Sequence, residues 1–301
     1  ISHKMNEIFQ MCDRATVLRD GKYIKTIEMA KTTRDEVIQA MVGRDISLFA
    51  KRTMPCQKKG TEPVLRVDGL CSDLFNQISF DLYAGEILGF FGLVGAGRTE
   101  VMRAIFGADP YTKGSVILNG KEIHCKSPHE AIELGIALIS ENRKEEGILP
   151  NFDNKDNISL ASLKKYMSGI VINDNKKKQN ALEKGKQVGL KPNDPAFMTV
   201  SLSGGNAQKV ILARWMSTDA TVMIFDEPTK GIDIGAIADI YLLMEKMAEQ
   251  GVAIIMVSSE LTEVMGMSDR IIVMRDGEIT GELAKEEFSE QNILNYTVEG
   301  N

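Results

Sequence analysis

No stretch of this chain is apolar for long enough to cross a membrane as a helix. Its longest apolar runs, such as VAIIMV (252–257), fall far short of the roughly 18–20 residues that a spanning helix needs. Cysteine is sparse: Cys12, Cys56, Cys71 and Cys125 are scattered and form no C-x-x-C pair. That speaks against a disulfide framework and leaves free thiols in a reducing cytosol as the expectation. Histidine occurs three times, and His124 and His129 lack metal-ligand spacing. An excess of positive charge is missing too. The net charge of −6 argues against non-specific DNA binding, while saying little about RNA or a membrane partner. No signal peptide is recognisable. The opening ISHKMNEIF begins at Ile1 and reads as a cut end, not a natural start.

What is there is ordinary in bulk and specific in detail. Hydrophobic residues make up 43% and charged residues 26% of 301, the balance of a soluble globular protein. An internal repeat is visible when residues 1–21 are laid over 257–277, an offset of 256. Nine of the 21 positions are identical: Ser2, Glu7, Met11, Asp13, Arg14, Val17, Arg19, Asp20 and Gly21 match Ser258, Glu263, Met267, Asp269, Arg270, Val273, Arg275, Asp276 and Gly277. The chain thus reads as the tail of one domain (1–43), a short linker (44–62) and a second copy (63–301). In the tail, RATVLRDGKYIKTI predicts a hairpin turning at Asp20-Gly21, and TTRDEVIQAMVG a helix with a threonine cap.

In the second copy, VLRVDGL, QISFDL and GSVILNGKEIH are strand-like, with Asn119-Gly120 as a hairpin turn. EILGFF (86–91) predicts a buried strand. SPHEAIELG (127–135) carries its own helix signals: Ser127 as cap, Pro128 as first residue, Glu130 closing a capping box, Gly135 as stop. The strands IALIS, TVMIFDE and VAIIMVSS alternate with helices, including GAIADIYLLMEKMAEQG. That alternation implies a mostly parallel sheet, with the earlier meander as an antiparallel layer.

Three motifs carry chemistry. GLVGAGRTE (92–100) is nearly the phosphate-binding pattern G-x-x-x-x-G-K-[ST], with Arg98 in the lysine place and Thr99 following. Gly92, Gly95, Ala96 and Gly97 let backbone N–H groups turn toward a phosphate, at the positive end of the helix that follows. TVMIFDEPT ends a hydrophobic strand in Asp226 and Glu227. Asp226 suits Mg²⁺, with Thr99 as the other protein ligand, and Glu227 suits a general base for the attacking water. SLSGGNAQK places Ser203, Gly204 and Gly205, with Gln208 beyond them, at a second anion-binding helix start. One nucleotide does not need two such grips, so the second is expected to act in trans, on a nucleotide held by another copy of the fold.

The glycine loop, LSGGN and IFDEPT, in this order and spacing, resemble the ATP-binding domains of ABC transporters, over essentially the whole chain. LSGGNAQK, SENRKEEGI (140–148) and VSSELTEVMGMSDRIIVM are similar to the second domain of the tandem ATPase subunits of monosaccharide importers, ribose and galactose type, and ISHKMNEIF to the end of their first domain. The resemblance implies an α/β fold of the P-loop NTPase, ABC ATPase kind. Its parts would be a mostly parallel core, an antiparallel β subdomain and a helical subdomain at about 150–203. It also implies ATP and Mg²⁺ as cofactors and a peripheral position on the cytoplasmic face of the membrane. The implied partners are the first ABC domain (in the same or a second chain), membrane permease subunits and, indirectly, a sugar-binding protein, with no nucleic acid. The 141–150 loop and the helices of 153–200 would meet the permease.

The sequence departs from the general ABC pattern in four places. Arg98 keeps the charge but replaces a compact ammonium with a planar fork. Glu100 replaces a small hydroxyl residue. Glu141 stands where a glutamine reports on the metal and the membrane partner. His3, the switch histidine of the first copy, aligns with Ser259 in the second. These changes predict that this copy binds nucleotide but turns it over slowly or not at all, while its SLSGG completes the site of the first domain. Asp233, in KGIDIG, resembles the loop that communicates across such a dimer. Two other readings are a regulatory module that binds nucleotide without turnover, and an ABC-type translation or repair factor. The latter usually carries a longer charged linker than this one.

Overall fold

A computed structural model describes residues 5–19, 22–33, 36–37, 40, 52 and 62–298. His3, the Asp20-Gly21 turn, most of the helix expected after Thr33 and most of 44–62 lie outside the described residues. At the start of that helix, the Glu36 N–H donates to Thr33 Oγ1 at 3.3 Å, as a threonine cap should.

The core is a six-stranded sheet in the order β14-β13-β5-β12-β11-β8. Its strands are β5 (Ile87–Phe91), β8 (Ile136–Ile139), β11 (Val222–Asp226), β12 (Ala253–Val257), β13 (Arg270–Arg275) and β14 (Glu278–Ala284). All neighbours run parallel except β14, which returns antiparallel to β13. Every residue of β5, β8, β11 and β12 is buried, which is why these segments read as unbroken apolar runs: a parallel sheet is covered on both faces. One face meets the helices Arg98–Ile105, Gly204–Trp215 and Ile234–Glu249 in the main core. On the other, Phe91, Val264, Ile271, Val273, Leu283 and Ile293 form a smaller cluster under the helices Leu261–Met267 and Glu290–Val298.

The antiparallel layer has the order β4-β3-β6-β7, from β3 (Leu65–Cys71), β4 (Ile78–Leu82), β6 (Lys113–Leu118) and β7 (Lys121–Ile123). Asn119 and Gly120 both take positive φ (49° and 76°), the two left-handed residues a tight hairpin between right-twisted strands requires. Phe80 meets Phe90 edge to face at 5.1 Å, joining this layer to the parallel core. Arg270 makes the same join in charge. It bonds Glu86 at 2.8 Å, the Asp81 carbonyl at 2.5 Å, and Glu282. The helix Pro128–Leu134 begins at Ser127 and stops at Gly135, as its sequence predicts. The expected capping box differs in one respect: Glu130 takes the N–H of Lys126 at 2.8 Å, because its side chain reaches one residue past the cap.

The region expected to be helical is built from Asn154–Ser159, the turns of 160–166 and Asp174–Gln187. It also carries a hairpin of β9 (Met167–Ser168) and β10 (Val171–Ile172), which is too short for a periodic signal. Arg214 fastens it to the Gly204–Trp215 helix through the Asn157 carbonyl at 2.7 Å and Asn157 Oδ1 at 2.9 Å.

The repeat is structural as well as sequential. The helix Met5–Met11, β1 (Arg14–Arg19), β2 (Lys22–Glu28) and the turn Met29–Lys31 match Leu261–Met267, β13, β14 and Lys285–Glu287, each at the same offset of 256. The irregularity between Val17 and Leu18 recurs between Val273 and Met274. The surroundings differ: Met267 is buried at 1% exposure and Met11 is 83% exposed. Within the segment read as a linker, Arg52 is buried and tied to the second copy. Its guanidinium lies 2.7 Å from Asp269 and donates to the Gly85 carbonyl at 2.6 Å.

Candidate nucleotide site

The glycine loop follows β5 directly, and the helix Arg98–Ile105 leaves from it. Gly92 is obligatory by contact, since a Cβ there would run into the Met274 carbonyl and Ala96. Gly97 caps the helix at φ 89°, a left-handed conformation that a side chain would strain. Val94, at 94% exposure, leads a loop whose middle faces solvent.

Thr99 and Asp226 meet, the hydroxyl donating to Oδ1 at 3.2 Å. Asp226 is 2% exposed. Burial pushes its carboxyl up to about 7. The charges of Glu227 and Glu141 act in the same direction, while the Thr99 hydroxyl and Arg98 oppose it. Glu227 sits just past the strand with φ 48°, a conformation costing a non-glycine residue about 1 kcal/mol or more. Its carboxylate accepts from Ser259 Oγ at 3.2 Å and lies 3.5 Å from the Arg98 guanidinium. Burial raises the Glu227 pKa, with Ser259 and Arg98 holding it down. A hydroxyl and a carboxylate, both hard oxygen donors, turned toward each other beside a phosphate loop suit Mg²⁺. The burial that penalises the Asp226 charge is the environment a cation would relieve.

Each residue singled out in the sequence, His3 apart, now has a place. Gly92, Ala96, Gly97 and Arg98 are buried, Gly95 is exposed, and Thr99 and Glu100 are half-buried in the first turn of the helix. Arg98, Thr99, Asp226, Glu227 and Ser259 come together. Glu141 pairs with Lys230, so its carboxylate is already engaged. Ser203 and Gly204 are exposed at the start of the Gly204–Trp215 helix, where Asn206 donates to Ser203 Oγ at 3.0 Å. Gly205 is buried because the helix beginning at Ile234 passes close by, and a Cβ would meet Ala236 at 2.6 Å. Gln208, grouped with this tip in the sequence, points elsewhere in its setting: at 1% exposure it lies inside the packing, one helical turn beyond the tip. Asp233 caps the helix Ile234–Glu249 by accepting the Ala236 N–H at 3.0 Å.

Two fastenings were not anticipated. Glu263 accepts from Thr229 at 2.6 Å and from Ser258 at 2.9 Å, tying the turn after Glu227 to the loop that carries Ser259. The repeat held the clue, since Ser258 and Glu263 are two of its nine identities. Arg143 donates to the carbonyls of Gly204, Lys230 and Gly231. Backbone acceptors leave no mark in a sequence.

A parallel sheet with this loop at its carboxyl edge defines a P-loop nucleoside-triphosphatase fold. A family model described as "ABC transporter" matches residues 75–230, more than half of the chain, and the chain belongs to that family. It is 45% identical over 303 residues to the ribose import ATP-binding protein RbsA of Oceanobacillus iheyensis, covering 100% of this chain and 60% of the relative. It is likewise 45% identical over 298 residues to the arabinose import ATP-binding protein AraG of Pseudomonas savastanoi pv. phaseolicola, covering 98% and 58%. The chain thus spans about 60% of the length of the curated relatives it matches. Among solved structures, an ATP-binding cassette of an ABC transporter in its ADP conformation superposes with a TM-score of 0.65 at 20% identity, over 78% of this chain and 94% of the other. A dimeric bacterial ABC transporter cassette gives 0.65 at 20% identity, over 74% and 100%. These two likenesses bear on the fold.

Proposed function

We propose that this chain is part of the ATP-binding subunit of an importer for a simple sugar, working at the cytoplasmic face of a membrane as one of two unequal nucleotide-binding copies. The open tip at Ser203 and Gly204 carries this reading. It presents two exposed residues at a helix start, where a phosphate held by another copy could meet them. The relatives named for ribose and arabinose import supply the substrate class. Among the described residues no helix is long and apolar enough to cross a membrane, so the passage itself would belong to permease subunits.

Residues 1–43 would complete a first copy, whose site His3 serves. In the second copy the glycine loop, Arg98 and Thr99 would bind the ATP phosphates, and Thr99 and Asp226 would hold Mg²⁺, which neutralises phosphate charge when bound. Turnover there would be slow for two reasons. Ser259 is too short and not basic enough to take the part of His3. Arg98 also places a positive charge against Glu227, the candidate base, which opposes the rise that burial gives its pKa but draws it toward the guanidinium. Closure of the pair on ATP and its release after hydrolysis would drive the permease between outward and inward access. The loop of 141–150, with Leu149 and Phe152 partly exposed near it, would touch that permease.

The Arg98–Glu227 pair also favours the regulatory reading, in which nothing turns over at all. The full-length protein with its permease separates the two. Steady ATP hydrolysis and sugar uptake, lost when the glutamate of the first copy corresponding to Glu227 is changed to Gln but kept in Glu227→Gln, supports the importer. No hydrolysis in any assembly supports the regulatory module. Purification with ribosomes instead of permease subunits would favour a translation factor.

A further inference from the structure

The loop that opens at Glu141 is bonded to three parts of the nucleotide machinery at once. Arg103, on the helix that leaves the glycine loop, lies 3.1 Å from Glu146. Glu141 pairs with Lys230, just beyond the Asp226-Glu227 turn. Between them, Arg143 joins that same turn to a third part, the start of the Gly204–Trp215 helix. One nitrogen donates to the Gly204 carbonyl at 3.0 Å, and the other to the carbonyls of Lys230 at 2.9 Å and Gly231 at 3.3 Å. The loop also presses on the Gly204–Trp215 helix, where a Cβ on Gly147 would meet Ile211 at 2.6 Å.

These bonds are unusual for a half-buried cation. All three acceptors of Arg143 are neutral carbonyls, and no ion pair to it occurs among the described residues. A lone charge put there for pairing would have a carboxylate. A planar fork put there for geometry needs what is found, namely several acceptors in fixed directions. One other bond reaches the first turn, where Asn206 Oδ1 accepts the Lys191 N–H at 2.9 Å, and the charged ties on the same helix lie further from its tip. Lys209 bonds Asp239 at 2.7 Å more than a turn along, and Arg214 holds Asn157 at the far end. Near the tip, Gly205 packs close to Ala236 and the Asp233 carboxylate without a side chain of its own to bond them.

We propose that Arg143 is a positioning residue that locks the Ser203–Gly205 tip and the Lys230–Asp233 turn into one rigid edge, so that the tip meets the nucleotide of the first copy at a fixed distance and angle. The inference rests on the in-trans reading above. Its ligand is the phosphate of a nucleotide bound elsewhere, and Arg143 itself touches only backbone. Lysine should fail in its place, since a single nitrogen cannot reproduce the planar fork that sets one nitrogen on Gly204 and the other on Lys230 and Gly231.

The test uses the full-length protein assembled with its permease. Arg143→Ala and Arg143→Lys should each lower kcat for ATP hydrolysis about 10-fold or more with KM for ATP little changed, because a tip displaced by about 1 Å is costly to the reaction but not to ground-state binding. Amide exchange in 203–207 and 230–233 should speed up in both, while a fluorescent ATP analogue binds this chain's own glycine loop as before. Ser203→Arg serves as the reference. If it abolishes hydrolysis and Arg143→Ala does not, the in-trans reading stands and the role of Arg143 falls. Wild-type kcat in Arg143→Lys would likewise overturn the role, by showing that charge alone suffices. If Ser203→Arg itself hydrolyses at the wild-type rate, the in-trans reading falls and takes the proposal with it.

Discussion

The guanidinium of Arg98 lies 3.5 Å from the carboxylate of Glu227, with both side chains buried. A residue expected to face phosphate is therefore also positioned to hold the candidate base. Exchanging the fork for an ammonium would loosen that hold but supply no group to orient water. Arg98→Lys alone should leave single-turnover hydrolysis at this copy near background, because Ser259 remains. Quenched-flow measurement with labelled ATP, in a protein whose first copy is inactivated, checks this. A rescued single variant would place the block at Arg98 alone.

Asp226 makes the metal-free protein sensitive to pH. Its carboxyl has an ordinary value of 3.8 and is pushed up to about 7 by burial. Between these values the unfolded chain has given up the proton while the folded chain keeps it, so this group's contribution to stability falls as pH rises from 3.8 to about 7 and is level above. Asp226→Asn should remove that slope and stabilise the protein in EDTA at pH 8 by on the order of 1–4 kcal/mol. Urea unfolding of both proteins across this range measures the difference.

Arg270 should matter more to stability than a surface charge. Glu86 is fully buried and relies on it, and the Asp81 carbonyl and Glu282 share the same guanidinium. Arg270→Ala takes the guanidinium from a buried carboxylate, which keeps the Tyr83 N–H at 2.9 Å, and should cost about 3–5 kcal/mol. Lowered stability in chemical denaturation, together with a retained far-ultraviolet spectrum, is the expected result.

Thiol chemistry should separate the cysteines. Cys12 is exposed, while Cys71 and Cys125 are buried, and burial pushes the Cys125 thiol above its ordinary value. Among these three described cysteines, iodoacetamide at pH 8 should label Cys12 first and Cys125 last, because the thiolate is the reactive form. Peptide mass spectrometry over time gives the order.

Much of this was legible before any coordinates. The alternation of apolar strands and amphipathic helices announced the parallel sheet, and Asn119-Gly120 announced the hairpin of the antiparallel layer. The pair Asp226-Glu227 at the end of an apolar strand, and glycines at the end of another, were enough to bring Thr99 and Asp226 together. What stayed hidden shares a physical cause. Arg143 bonds carbonyls, which every residue carries alike. Glu141 and Lys230, or Arg98 and Glu227, are far apart in the chain, and any surface charge could have paired with either. Gln208 sits at a helix start by sequence, and only the packing around it shows that it faces inward.

The offset of 256 has a consequence for how the molecule assembles. Two hairpins with strands of the same length and the same irregularity occur in one chain, and β13 of the second fills the place beside β5. That place is lined for Ile271 and Ile272, both without exposed surface, against Gly89 and Phe90. The rival hairpin would bring Ala15 and Thr16 to those places. Each lost isoleucine costs about 2–5 kcal/mol in a closed interior, and the threonine hydroxyl adds the cost of a stranded polar atom. Two small side chains would thus make β1 a poor fit for the place that β13 fills, so the duplicated pattern carries its own means of telling the two hairpins apart.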